Sequence, residues 1–255
     1  MSAARDALRV IETGMLPARR NVATSAALFE LRGAGEIRDT LRFHVYPPAV
    51  LVGRHQRIAE ALDRGLCLRR NIEIARRITG GGAIFVTPAM LSFEFVLGGT
   101  YVSREDAARD LCEAVAAGLS RLGCDARYRA PNDIAVCGRK LCGGAGYTEG
   151  STLLYQGMIM VAADFGLMRE VLAIPAAQGS LADRLTSLAR ETGSEPTHRQ
   201  IVDAVSDAVS DRLKRPLLRG TPTPRELALG DVLHAREYGT DAFVEAGELI
   251  LEAAQ

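Results

Sequence analysis

The sequence predicts an α+β fold in which helices pack against largely antiparallel or mixed sheets. Three observations carry that expectation. Short apolar or alternating runs come in pairs separated by turn residues. Two longer segments have helical spacing with capping signals. The helices also fall between strand pairs instead of alternating with single strands. In chain order, residues 21–31 read as a helix capped near Asn21 and ended by Gly33-Ala34-Gly35. Residues 41–46 alternate with period two, a half-buried strand stopped by Pro47-Pro48, and residues 49–53 form a short buried strand. Residues 84–86 and 91–97 predict two strands in a hairpin around Thr87-Pro88-Ala89. The clearest helix spans residues 104–122, with Ser103 and Asp106 as its cap pattern, Leu111, Val115, Leu119 and Leu122 on one face, and Gly123 ending it. Strands follow near residues 126–129, 134–136, 141 and 153–161. A second strong helix spans residues 198–214, opened by the capping box Thr197-x-x-Gln200 and stopped before Pro216. Residues 220–224 read as a linker, and the remainder has weak helical periodicity at Leu227, Leu233, Phe243, Leu249 and Ile250.

Composition narrows the function classes. The 31 basic and 31 acidic residues cancel, so bulk charge steers the chain towards neither nucleic acid nor membrane. No apolar run reaches the roughly 18 residues that span a bilayer, and the stretch from Met1 to Asp6 lacks a signal-peptide core, so a cytoplasmic protein is expected. The five cysteines (Cys67, Cys112, Cys124, Cys137, Cys142) are odd in number, without C-x-x-C spacing or nearby histidines, which argues against structural zinc. Free, mostly buried thiols are expected, with Cys137 and Cys142 kept as minor candidates for redox or nucleophilic chemistry.

Two clusters carry the chemistry. The first is Arg76-Arg77-Ile78-Thr79-Gly80-Gly81-Gly82-Ala83-Ile84-Phe85. Three glycines running into a strand give up backbone entropy and offer nothing to pack, unless a ligand or another backbone must come close. Amides without a Cβ in the way, beside guanidinium groups, suit a phosphate or carboxylate; the alternative is a glycine bulge. The second is Asn132-Asp133-Ile134-Ala135-Val136-Cys137-Gly138-Arg139-Lys140, followed by Gly143-Gly144-Ala145-Gly146. A lysine on a tight hairpin suits a carboxylate, an α-phosphate or the mixed anhydride joining them, while Asn132 and Asp133 offer oxygen ligands for a magnesium ion or an adenosine phosphate. The alternative there is a plain hairpin with a solvated lysine. His44 and His198 read as packing or capping residues, and His55, beside Arg54, as a possible lining of a nucleotide pocket. Tyr147 and Tyr155 bracket Glu149-Gly150-Ser151, either a loop closing over the site or a hairpin tip.

The clusters occur in an order that resembles the lipoate–protein ligase family, within the wider biotin/lipoyl ligase and octanoyltransferase superfamily. The resemblance runs over residues 8–215. It takes in Asn21-Val22-Ala23, Ala49-Val50-Leu51-Val52-Gly53-Arg54-His55-Gln56, the Arg76–Ala83 cluster, Leu91-Ser92-Phe93, Asn132-Asp133-Ile134, Gly138-Arg139-Lys140-x-x-Gly143-Gly144-Ala145 and Gln156-Gly157. It implies a biotin/lipoyl ligase-like catalytic domain at residues 1–219, with residues 220–255 a linker and short helical extension that is not an independent domain. It implies that lipoate (or octanoate) and Mg2+-ATP form an acyl-adenylate, whose acyl group passes to a lysine of a lipoyl acceptor domain or lipoate-binding protein. Lys140 is then the catalytic residue, contacting the acyl carbonyl and α-phosphate. Arg76, Thr79, Gly80, Gly81, Gly82, Ala83, Asn132, Asp133, Gly143, Gly144, Ala145, Gln156 and Gly157 line the substrate and adenylate, with Asn21, Arg54, His55 and Phe85 as further candidates and Asp133 as the Mg2+ ligand.

The chain departs from the family pattern in three places. Val86, Thr87 and Met90 stand where a His-Asp pair and then an asparagine are usual, the first helix lacks a glutamate near Ser25 or Ala26, and Cys142-Gly143-Gly144-Ala145 replaces Ser-Gly-Ser-Ala. The C-terminal extension is also shorter than the family's accessory domain, which implies either independence from one or a separate small subunit. Two alternatives follow: an ATP-independent octanoyl or lipoyl transferase working through a cysteine thioester, or a non-catalytic or subunit-dependent lipoyl-binding relative. The transferase patterns place a cysteine where this chain has Ile174-Pro175-Ala176 or Ala130-Pro131-Asn132-Asp133, and neither contains one.

Overall fold

A computed structural model describes residues 6–99, 101 and 103–245. The first half runs β1 (Leu8–Met15), α1 (Ala18–Gly33), β2 (Thr40–Val45), β3 (Ala49–Val52), α2 (Ile58–Ala61), α3 (Arg64–Arg69), β4 (Glu73–Arg76), β5 (Ile84–Val86), β6 (Met90–Gly98) and α4 (Arg104–Ser120). The second half runs β7 (Arg127–Arg129), β8 (Asp133–Val136), β9 (Arg139–Glu149), β10 (Thr152–Met160), α5 (Phe165–Val171), α6 (Leu181–Arg184), α7 (Leu188–Thr192), α8 (His198–Leu213), β11 (Leu217–Gly220), α9 (Pro224–Leu233) and α10 (Asp241–Glu245). The fold is α+β, as expected. Of the stretch read from Met1 to Asp6 the first five residues lie outside the described residues, as do Leu249 and Ile250.

Eight strands form one mixed sheet in the order β11-β1-β2-β6-β10-β9-β8-β7, and three form a second in the order β4-β3-β5. The large sheet is antiparallel from β2 to β7, with β1 parallel to both β2 and β11. One face packs on α4 and α8 through Leu41, Phe43, Phe93, Phe95, Leu111 and Val205. The other face meets α1 and the small sheet through Ile11, Val22, Leu28, Leu51, Val86 and Val96. This double cover corrects the reading of β2 as half-buried. Its period-two pattern is real, but the residues opposite Leu41 and Phe43 are Arg42 and His44, which face a second layer and are buried as well.

Two further expectations change. Residues 84–86 and 91–97 are both strands but not a hairpin: β5 pairs with β3 in the small sheet, while β6 lies in the large one between β2 and β10. A run of apolar residues records burial, not partners. Helix α1 begins at Ala18, and Asn21 is not its cap. The free N–H groups of Ala18 and Arg19 donate instead to the Glu73 carboxylate at 2.6 and 3.2 Å, an anion on a helix N-terminus supplied from β4. The cap of α4 at Ser103 and the capping box Thr197/Gln200 of α8 form as expected.

Beyond β11, α9 packs along α1, and its Glu226 forms a buried bidentate ion pair with Arg9 of β1. Among the described residues, no helix is long and apolar enough to cross a membrane.

Candidate active site

The glycine cluster is a loop entering β5, not a strand interior. Gly81 has φ +93° and, like Gly82, is exposed. Arg77 shapes this loop from behind. Its guanidinium donates to the carbonyls of Gly80 (2.7 Å), Gly82 (2.9 Å) and Leu51 (3.0 Å), and its Nε donates to Thr79 Oγ1 (3.1 Å). Burial lowers the Arg77 pKa to about 10, which leaves it charged at neutral pH. With the carbonyls turned inward, the N–H groups of Gly80, Gly81 and Gly82 are left without an acceptor among the described residues. Successive free amides of this kind form an anion-binding concavity. Gly53 completes the loop's seat, since a Cβ there would lie 1.9 Å from the Gly81 carbonyl oxygen.

Arg76 and its neighbours take other places. Arg76 is fully buried. It donates through Nη1 to the carbonyls of Gly53, Arg54 and Gln56 and through Nε to Val244, so it fixes the turn after β3 and ties it to α10. In that turn the Arg54 guanidinium stacks 4.9 Å over the Tyr147 ring, and His55 is exposed. Phe85 packs into the apolar cluster between the small sheet and α2, α3 and α5, with Ala83 at its margin. Val86 lies in the core between the two sheets.

Lys140 stands at the start of β9, after the turn Cys137-Gly138, both of which have positive φ (47° and 78°). A β-bulge directs it. Ile134 pairs with Cys142 but the next residue, Ala135, pairs with Lys140, so Leu141 is an extra residue in β9. Leu141 and Cys142 therefore both enter the α4/α8 core, and Lys140 points to the opposite face together with Gly143. There Lys140 Nζ meets Asp133 Oδ1 at 2.7 Å, while Asp133 Oδ2 accepts from Arg129 at 2.8 Å. Gly143 is the lysine's seat, because a Cβ would fall 2.4 Å from Lys140 Cε. The backbone is pinned too: the Lys140 carbonyl accepts from Thr186 N at 2.9 Å. Asn132 clasps Gly144 twice, donating from Nδ2 to its carbonyl (2.6 Å) and accepting its N–H (2.8 Å). Gly144 and Gly157 have no room for a Cβ because the Tyr155 hydroxyl and the Phe93 ring occupy that space.

The sheet register brings the two clusters together. Ala145 lies opposite Gln156, whose side-chain carbonyl accepts from Thr79 Oγ1 at 3.1 Å. Gly143, two residues earlier on the same face, lies opposite Met158. The glycine loop and the lysine thus stand over adjacent rows of one sheet face. Asn21 is also on this side, bonded to Arg42 and to the carbonyls of Leu16 and Val45. Sequence reasoning missed Arg42, Ser25 and Glu94, the buried polar residues beneath Gln156. The available signal was a glutamate inside the otherwise apolar run 90–98.

Metal and thiol chemistry can be tested against the same geometry. Both oxygens of Asp133 are engaged by cations, and among the described residues no group of three His, Cys, Asp or Glu side chains could hold a metal ion. Asp133 fits an orienter of Lys140 better than a Mg2+ ligand. Four cysteines are buried, and burial raises all four thiols: Cys67 and Cys124 above the usual range, Cys112 to about 11 and Cys142 well above it. Cys137 alone is exposed, in the hairpin turn. The loop Glu149-Gly150-Ser151 is the tip of the β9–β10 hairpin, with Gly150 at φ +56°.

Comparison with known proteins agrees with this architecture. The lipoyl protein ligase A/B catalytic domain matches residues 17–210. Octanoyltransferase LipM of Symbiobacterium thermophilum is 27% identical, over 91% of this chain and 96% of that protein. Lipoate-protein ligase A subunit 1 of Thermoplasma acidophilum is 26% identical, over 88% and 90% respectively. A solved structure of lipoate-protein ligase A bound with ATP superimposes with a TM-score of 0.84 at 23% identity, covering 94% of this chain and 98% of that one.

Proposed function

The chain belongs to the lipoyl protein ligase A/B catalytic-domain family, and from that premise we propose that it is an ATP-dependent lipoate–protein ligase. In this reading the carboxylate of lipoate (or octanoate) attacks the α-phosphorus of ATP and pyrophosphate leaves. The resulting acyl-adenylate is attacked by a lysine amine of a lipoyl acceptor domain or lipoate-binding protein, with AMP leaving. The observation that carries the reading is the pairing of an oriented cation, Lys140 on Asp133, with a loop of acceptor-free amides on the same sheet face, while the neighbouring Cys142 is turned into the core and its thiol pushed up by burial. Lys140 would neutralise charge on the α-phosphate and acyl oxygen, and the glycine amides would hold the remaining anionic oxygens. Positioning and charge stabilisation of this kind need no covalent link to the protein. Asp133 keeps the ammonium aimed.

The described residues 220–245 fit an extension of the catalytic unit, held by the Arg9–Glu226 and Arg76–Val244 contacts. A separate small partner is also part of the proposal, supported by the name of the Thermoplasma relative, a subunit 1.

The second reading, an octanoyltransferase acting through a cysteine thioester, is favoured by the name of the Symbiobacterium relative. Against it stands the burial of four of the five cysteines, which raises their thiols. The two separate in one experiment. Given lipoate, ATP and an acceptor domain, a ligase releases AMP and modifies the acceptor, and intact-mass spectrometry finds no acylated cysteine. ATP-free transfer from an octanoyl-carrier protein, with a mass gain on a cysteine, would establish the transferase.

A further inference from the structure

A chain of polar side chains runs from the core of the large sheet to the glycine loop. At its inner end Glu94 of β6 is fully buried and accepts from Arg42 Nη1 (2.8 Å), Ser25 Oγ (2.6 Å) and Gln156 Nε2 (2.9 Å). Arg42, also fully buried, is held by Thr13 Oγ1 (2.9 Å) and Asn21. A carboxylate only accepts, so Glu94 forces Gln156 to turn its NH2 inward and its carbonyl outward. That carbonyl takes the Thr79 hydroxyl proton (3.1 Å), which leaves Thr79 Oγ1 free to accept from Arg77 Nε (3.1 Å). Arg77 then holds the carbonyls of Gly80 and Gly82. The directions are set from both ends: Glu94 can only accept and so turns the Gln156 amide, Arg77 can only donate to Thr79 and the loop carbonyls, and the Thr79 hydroxyl joins the two by donating to Gln156 while accepting from Arg77.

We propose that Glu94 is a positioning residue: by turning the Gln156 amide it lets the Thr79 hydroxyl bridge Gln156 and Arg77, and so anchors the guanidinium that holds the glycine-loop carbonyls inward and leaves their N–H groups turned towards an anionic ligand. Its cost explains why it is specific. A charged pair sealed in a core is no better for stability than apolar packing, but it allows a single hydrogen-bond arrangement where neutral groups allow several.

The proposal rests on the loop's anion-binding role, and its test has a readout independent of ligase activity. Glu94→Gln keeps shape but presents an NH2 towards the Gln156 and Ser25 donors, so Gln156 must flip and offer an NH2 to Thr79. Hydrogen–deuterium exchange at the bonded amides of Arg77 and of Arg54, whose N–H donates to the Thr79 carbonyl, should speed up about tenfold, the effect of losing one hydrogen bond. The swap Glu94→Gln with Gln156→Glu restores an acceptor facing Thr79 and should return exchange to within about threefold of the parent on the same scale. In lipoate-dependent ATP–pyrophosphate exchange, kcat should fall about 10²-fold in the single variant, as expected of a misplaced loop, and recover in the swap.

Unchanged loop exchange in folded Glu94→Gln would overturn the proposal. So would a swap that stays as loose as the single variant, since a residue acting only through packing has no reason to be rescued by reversal. If Glu94→Gln does not fold, Thr79→Val interrupts the same chain without a buried charge, and the same amides must exchange faster or the proposal fails. Absence of pyrophosphate exchange in the parent, with the loop responding as described, would remove the ligase reading and leave the positioning role standing.

Discussion

Arg77 and the glycine loop are held from behind by side chains sealed in the core, whereas Lys140 is held at the water's edge. Arg42 and Glu94 are fully buried, but the Lys140 side chain is 36% exposed and the Asp133 side chain 16%. The loop side has little freedom, because the donors in its support are each held by one or more acceptors, most of them on buried residues. The lysine side is aimed by backbone, through the bulge at Leu141 and the bond from Thr186, while the side chain itself can move. The difference suits a site where a fixed anion cradle receives the substrate and a flexible cation follows charge as it shifts from carboxylate to phosphate.

Substitutions should split along that line, with stability lost on one side and activity on the other. The largest effect on stability is expected from Arg42→Met, which leaves Glu94 buried without its counter-charge and should cost about 3–5 kcal/mol in denaturant unfolding. Gly143→Ala reverses the pattern: its Cβ would displace Lys140 from 2.4 Å away, yet the displaced atoms are the end of a flexible side chain. Adenylation should fall about 10²-fold with the melting curve nearly unmoved. Asp133→Asn should be milder, about tenfold in adenylation, because the ammonium stays in place but loses its orienting charge, an effect worth roughly 1 kcal/mol at a part-exposed pair. Gly80→Ala sharpens the comparison from the other end. Nothing lies within 4 Å of a Cβ there, so stability should change by less than about 0.5 kcal/mol. A large loss of activity would then mean that ligand fills that space.

Thiol titration gives a further check on the chemistry. Burial raises the Cys67, Cys112, Cys124 and Cys142 thiols, so all four should stay protonated and slow to react at pH 8. Only Cys137 should react with a disulfide reagent in the folded protein. A second fast thiol would favour the transferase.

Much of this was legible in the chain. The capping box at Thr197, the N-cap at Ser103, the turn at Cys137-Gly138 and the triple glycine are local signals, and local physics decides them. What failed depended on partners distant in sequence. The start of α1 is set by Glu73, so reading Asn21 as the cap followed propensity where a distant carboxylate prevailed. Residues 84–86 and 91–97 look like neighbours, but nothing in either run says that one pairs with β3 and the other with β10. The bulge that aims Lys140 is invisible because Leu141 and Cys142 are both apolar and read equally well in either register. Glu94 was readable as an oddity in an apolar strand, but its meaning required Arg42 and Gln156 on the flanking strands.

The central claim is an adenylating site built on Lys140. Lipoate-dependent ATP–pyrophosphate exchange, run on the parent protein and on Lys140→Ala with matched melting curves, tests it most directly. The account predicts exchange that requires lipoate and falls about 10³-fold in the variant, the scale for removing a charge-stabilising donor. No exchange by the folded parent, or exchange that survives the loss of Lys140, would contradict it.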